Sequence, residues 1–274
     1  ECKDAMEHME KKGCSGFTLK MIAVVTMFID HTAASVLYRA LTTPEAGYIT
    51  TASAYERWSS IYMLMRIIGR MAFPLYCFLL VEGFLHTKNV RKYLGRMAAF
   101  AVLSELPFDL ALFNSPFDSA HNNVFVTLFF GLLVIAVLQR ICERTGFWSG
   151  LGTGIEKRSP SGTLKGVFFA VAAAATGMIL CEAAGADYGA SGIAAITVMY
   201  VLRKNRLAAF GAGICMLGIM SSTLEFYALL MLIPVFYYNG KRGPGQGKCG
   251  KYFFYGFYPL HLLLLVGICR WMGL

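Results

Sequence analysis

Apolar residues in this chain gather into long runs separated by short polar stretches, the pattern of a polypeptide that crosses a bilayer repeatedly. The runs cover residues 17–41, 61–84, 93–113, 124–142, 165–184, 188–202, 207–220, 223–238 and 253–272. Each reads as a helix, and the sixth to eighth are short enough that a re-entrant or merged pair is the alternative. Lys and Arg collect in every second connection, as they do on the cytoplasmic side of short loops. Lys11, Lys12 and Lys20 precede or open the first run, and Lys88, Arg91, Lys92 and Arg96 mark the second loop. Arg140, Arg144, Lys157, Arg158 and Lys165 mark the fourth, Arg203, Lys204 and Arg206 the sixth, and Lys241, Arg242, Lys248 and Lys251 the eighth. The stretch 114–122 between them carries no Lys or Arg. This alternation predicts an all-α, polytopic integral membrane bundle of about nine transmembrane helices, N-terminus cytoplasmic and C-terminus outside. Residues 1–16 are expected to form a cytoplasmic segment and 17–274 a single transmembrane domain.

Composition narrows the class. With 57% hydrophobic and 15% charged residues, a water-soluble domain is excluded. The net charge of +9 does not point to nucleic acid, because the basic residues sit between apolar runs and act as topology signals. Eight cysteines occur without a CxxC pair or Cys/His metal spacing, so neither a disulfide framework nor a metal site is expected.

Several ionisable residues lie inside the apolar runs, where they are costly and tend to mark function. Asp30 and His31 fall in the first run, Arg66 and Arg70 in the second, Glu105 and Asp109 in the third and His261 in the last. At about 1.5 Å per residue, His31 lies about 21 Å from its cytoplasmic end, Glu105 about 18 Å and His261 about 12 Å. Arg70 lies about 14 Å from its outer end, so all four depths overlap near mid-membrane. The i,i+4 spacing puts Arg66 with Arg70 on one face, and Glu105 with Asp109 on another, so two cations could face two carboxylates. A purely structural reading has these four neutralise one another. Lys20 and His31 also return to nearly the same face of the first helix, about 16 Å apart. That suits an elongated ligand with a phosphate at the mouth and a reactive end at a buried base, such as coenzyme A. Pro74, Pro107 and Pro259 lie beside charged positions and free backbone groups there.

Segments at 20–31 (KMIAVVTMFIDH), 69–87 (GRMAFPLYCFLLVEGFLHT), 92–111 (KYLGRMAAFAVLSELPFDLA), 122–133 (NNVFVTLFFGLL) and 251–265 (KYFFYGFYPLHLLLL) resemble the TraX family of bacterial membrane proteins. The Lys20-x10-His31 spacing is also similar to the first-helix signature of wider transmembrane acyltransferases that modify sugars. The resemblance implies acetyl transfer from acetyl-CoA in the bacterial cytoplasmic (inner) membrane, onto a protein amino terminus such as pilin or onto a cell-envelope glycan. It spans most of the chain but not residues 144–222.

The expected catalytic set is His31 as general base or acetyl-carrying nucleophile, Asp30 or Glu105 orienting it, and Arg70 stabilising the oxyanion. Lys20, Arg66, Asp109, His261, Tyr258 and Asn123 are expected to bind donor or acceptor. Acetyl-CoA is the expected donor, an acceptor protein or glycan and the lipid bilayer the expected partners, with no metal and no nucleic acid. A proton- or ion-coupled transporter using the same midplane charges is the alternative from another class. A structural subunit whose charges only hold the bundle together is the third reading.

Overall fold

A computed structural model describes residues 13–146, 160–244 and 248–274. Every apolar run lying in those residues is helical. The first becomes α1 (Gly16–Thr42), opened by the Ser15 side chain accepting from the Thr18 N–H. A π-helical turn, Ala33–Leu37, interrupts it directly after His31 and Thr32. Such a turn inserts a residue into the hydrogen-bond ladder and shifts the register of the turns beyond it, and it recurs near functional sites.

The second run is not one helix. It begins earlier than expected and divides into α2 (Ala52–Gly69) and α3 (Ala72–Leu85), with the break at Arg70 and Met71. Pro74 is the physical reason. It sits in the first turn of α3 rather than mid-helix, and its ring excludes the regular bond to the carbonyl four residues back, at Arg70. The chain bridges the break by sharing the Arg70 N–H between the Arg66 and Ile67 carbonyls and by a tightened i→i−3 bond from Met71 N–H to Ile68.

The remaining helices are α4 (Val90–Leu112), α5 (Val124–Thr145), α6 (Pro160–Ala183), α7 (Gly189–Val201) and α8 (Arg206–Met220). The eighth run is a 3-10 helix, Thr223–Met231, leading into the short α9 (Leu232–Phe236), and α10 (Lys248–Met272) ends the chain. Pro107 and Pro259 lie inside α4 and α10. Among the described residues, five helical stretches are long and apolar enough to cross a bilayer: Gly16–Thr42, Ala52–Leu85, Val124–Thr145, Leu164–Ala183 and Tyr252–Met272. The chain is thus a multi-pass membrane protein. The helix α4 falls outside that set because it carries Arg91, Lys92, Arg96, Glu105 and Asp109.

The short α7 sits at the centre. It packs against α3, α5, α6 and α8, and is apolar or small all round, as a helix enclosed by protein must be. Ile193, Ala195 and Ile196 on it are fully buried, with Leu132 and Ile135 of α5 and Phe210, Ile214 and Leu217 of α8. By contrast, α6 leaves Leu164, Phe168, Val171 and Ile179 exposed, an apolar face suited to lipid. On the other side, α1 packs against α2, α3 and α10, and α10 against α4. Arg39 near the end of α1 donates to the Leu110 and Ala111 carbonyls at 2.8 and 2.9 Å, capping the C-terminus of α4. The entry to α1 is pinned by the segment after α9: Cys14 N–H reaches the Tyr237 carbonyl, Gly16 N–H that of Lys241 and Phe17 N–H that of Arg242.

Close approach of α5 to α7 depends on Gly131, where a Cβ would collide with the Ile196 side chain. Gly131→Leu is expected to destabilise the detergent-solubilised protein by about 1–3 kcal/mol through overpacking. Gly95→Ala on α4, where a Cβ meets nothing within 4 Å, serves as the control. A thermal-unfolding midpoint lowered in the first and unchanged or raised in the second checks it.

Candidate functional site

Burying a charge in a membrane protein requires a partner of opposite sign. Asp30 on α1 has two. Arg66 Nη1 donates to its Oδ2 at 2.9 Å, and Arg70 Nη2 to its Oδ1 at 3.3 Å. Arg70 also reaches Glu225 Oε1 through Nη1 at 3.2 Å and the Arg66 carbonyl through Nε at 3.4 Å. Two carboxylates and two guanidinium groups thus form an alternating chain, Arg66–Asp30–Arg70–Glu225. The Glu225 side chain is fully buried and Arg66 is the most accessible member, at 27%. Gly69 lets α2 come this close, because a Cβ there would overlap the Asp30 side chain. The break at Arg70, imposed by Pro74, lets the guanidinium turn toward both α1 and the 3-10 helix.

This arrangement corrects the expected pairing of Arg66 and Arg70 with Glu105 and Asp109. Those carboxylates are occupied elsewhere. Asn123 Nδ2 donates to Glu105 Oε2 and, at 2.7 Å, to the Ala101 carbonyl, while its Oδ1 caps the start of α5 by accepting from Phe125 N–H. Asn123 and Glu105 therefore tie α4 to α5. Asp109 Oδ2 accepts from the Asp118 N–H at 2.9 Å and organises the loop between those helices. In that loop the Ala120 N–H and neighbouring His121 hold the partly exposed Asp118 carboxyl below the usual carboxylate range.

Neither Asp30 nor Glu105 bonds to the His31 ring; its Nδ1 lies 2.7 Å from Nε2 of His261 on α10. Asp30 is committed to the arginines, and Glu105 to Asn123. The two imidazole planes agree within 3° with centroids 5.0 Å apart. That spacing exceeds the nitrogen separation by about the two ring radii, so the rings meet edge to edge in one plane, the geometry of an in-line N–H to N bond. Behind His261, Nδ1 lies 2.8 Å from the Phe257 carbonyl. Tyr258 stands edge-on to the His31 ring at 5.8 Å. His261 and Tyr258 are each 3% exposed, whereas His31 keeps accessible surface.

Lys20 and His31 do share the face of α1 that meets α10. The Lys20 ammonium lies 5.3 Å from the Phe254 ring centroid, Phe28 packs on Phe257, and His31 meets His261. Lys20 itself is exposed.

Sequence reasoning passed over three residues of the site. Glu225 could have been found, since it is the one acidic residue of the eighth apolar run. Asp187 and Tyr188, in the turn before α7, gave no such signal. Tyr188 adopts a left-handed backbone at φ 63°, stacks on Phe73 at 3.7 Å and lies 5.8 Å beneath the Arg70 guanidinium. A non-glycine residue held there costs energy, and such strain concentrates at functional sites. Asp187 is held by its N–H to the Asn122 carbonyl and by the Thr127 hydroxyl donating to its own carbonyl. As a residue Asp187 is exposed, and it lies within reach of the charges of Arg70, Asp30 and Arg66. Among the described residues no group of three or more His, Cys, Asp or Glu is placed to hold a metal ion.

A family model described as TraX protein matches residues 15–269. The chain is also similar to "Probable fimbrial assembly protein FimC, serogroup H1" of Dichelobacter nodosus, 29% identical over 274 residues, covering 92% of this chain and 94% of that protein. No solved structure matches it.

Removing Arg70 leaves Glu225 buried without its partner. Arg70→Met is expected to cost about 3–5 kcal/mol, the usual result of breaking a buried pair from one side. Adding Glu225→Gln should recover part of that loss, because Asp30 retains Arg66. Thermal midpoints in detergent for the single and double variants check this; a double variant no more stable than Arg70→Met would reject the pairing as the source of the cost.

Proposed function

The chain belongs to the TraX protein family, and from that premise we propose that it is an integral membrane acetyltransferase. It moves an acetyl group from cytoplasmic acetyl-CoA to an acceptor amine or hydroxyl, either a protein amino terminus such as that of pilin or a cell-envelope glycan. The relative named for fimbrial assembly supports the first acceptor class. The observation that carries the reading is the face of α1 against α10. It sets a cation, Lys20, near one end and a partly accessible histidine, His31, deep in the bundle beside two arginines.

In this reading the coenzyme A phosphates meet Lys20 and the basic residues Lys241 and Arg242, whose backbone pins the start of α1. The thioester reaches His31. The acceptor X–H gives its proton to His31 while X attacks the thioester carbonyl carbon; the tetrahedral oxyanion collapses with loss of the C–S bond, and His31 returns the proton to the departing thiolate. Arg70 has donors taken up by Asp30, Glu225 and a backbone carbonyl. Arg66, which bonds through Nη1 alone among the described residues and is more accessible, is the better donor to the oxyanion. This assigns to Arg66 the role expected of Arg70 and leaves Arg70 to hold the frame.

Calorimetric titration of acetyl-CoA into detergent-purified protein, followed by thioester turnover on the same samples, tests the proposal. His31→Ala should retain binding and lose turnover by about 10²–10⁴-fold. Lys20→Ala should weaken binding by about tenfold, the loss of one phosphate contact. Folded wild type that binds no acetyl-CoA at millimolar concentration would overturn the reading, and solute movement across sealed liposomes without thioester consumption would replace it with a transporter.

A further inference from the structure

The hydrogen bonds around His261 determine which nitrogen of His31 is free to react. A carbonyl oxygen can only accept, so His261 Nδ1, 2.8 Å from the Phe257 carbonyl, carries a proton. His261 is 3% exposed, lies among the rings of Phe28, Phe257 and Tyr258, and among the described residues has no carboxylate bonded to it. A cationic ring there would be a buried charge without an anion beside it. The ring is therefore neutral, and its Nε2 is bare. The in-plane contact at 2.7 Å then requires His31 Nδ1 to carry the proton and donate it. A neutral His31 protonated at Nδ1 has its lone pair on Nε2.

We propose that His261 is a positioning residue that fixes His31 in its Nδ1-protonated tautomer, so that Nε2 of His31 is the reacting nitrogen. Free neutral histidine prefers the opposite tautomer, with the proton on Nε2, so the relay from Phe257 through His261 reverses the intrinsic preference. Among the described residues Nε2 of His31 has no hydrogen-bond partner, and His31 keeps accessible surface. The chemical use of that lone pair rests on the acetyl-transfer reading: Nε2 takes the acceptor proton and returns it to the thiolate. The proton cannot pass onward through the pair, because the far nitrogen of His261 ends on a backbone carbonyl. The dyad is thus a holder of one proton rather than a conduit.

Nuclear magnetic resonance of protein labelled with 15N-histidine reads the tautomer independently of activity, and with five histidines in the chain His31 is assigned by its loss in His31→Gln. The expected wild-type signature is a protonated Nδ1 and a bare Nε2, shifting toward a protonated Nε2 in His261→Phe. Acetyl transfer by His261→Phe should fall about 100-fold in kcat, the low end of what a general base contributes, with KM for acetyl-CoA unchanged. His261→Gln, whose amide oxygen can stand in for the accepting nitrogen, should keep the wild-type tautomer and recover most of the rate. A wild-type His31 protonated at Nε2 overturns the proposal whatever the enzyme does. The predicted tautomer in a protein that transfers no acetyl group upholds it and removes the acetyltransferase reading instead. If His261→Phe does not fold, the wild-type spectrum and His261→Gln still decide.

Discussion

An aspartate in the middle of an apolar helix is costly until a cation reaches it, and much of this bundle is arranged around meeting that demand at Asp30. Two guanidinium groups arrive from the C-terminal end of α2, so one carboxylate would leave a surplus of positive charge. Glu225 supplies the second anion from a segment far along the chain. Satisfying the four charges fixes the distance of α2 from α1, requires glycine at position 69, and goes with packing of the 3-10 helix on α2 and α3. The break between α2 and α3, the absence of a side chain at Gly69 and the burial of Glu225 are parts of one electrostatic solution.

The histidine pair is separate from this network and differently built. It contains no carboxylate, depends on linear geometry between two rings, and relies on the backbone of α10 for its anchor. Asp30 and His31 are neighbours in sequence yet do different things. One ties α1 to α2, and the other ties α1 to α10, which places the His31 imidazole at the junction of the two contacts. The π turn after His31 adds a local change of register where those two faces diverge.

Much of this was legible in the sequence because apolar runs and stranded charges are strong local signals. Most helices begin and end close to where the runs do, although the second starts at Ala52 and divides, and of the stranded charges Asp30 meets Arg66 and Arg70 while His31 meets His261. The pairing was not legible. Equal i,i+4 spacing on two helices suggested that arginines on one would meet carboxylates on the other, but spacing along a helix says nothing about which helix is its neighbour. Glu105 and Asp109 face α5 and the loop before it, so their partners are an asparagine and a backbone amide. Tyr188 escaped notice because backbone strain has no signature in residue type unless the residue is glycine. The short α7 read as a doubtful membrane span for a related reason: its length, about 20 Å, is set by the helices enclosing it and not by lipid.

The contact between His31 and His261 joins positions 230 residues apart, whereas Asp30 meets its arginines after 36 and 40. On a ribosome feeding a membrane these are early and late events. The first two hydrophobic segments bring Asp30 its cations as soon as both have emerged, while the surplus positive charge of Arg70 waits for Glu225. The histidine pair closes only when α10 is in place, so α1 finds its partner in α2 well before its imidazole finds one.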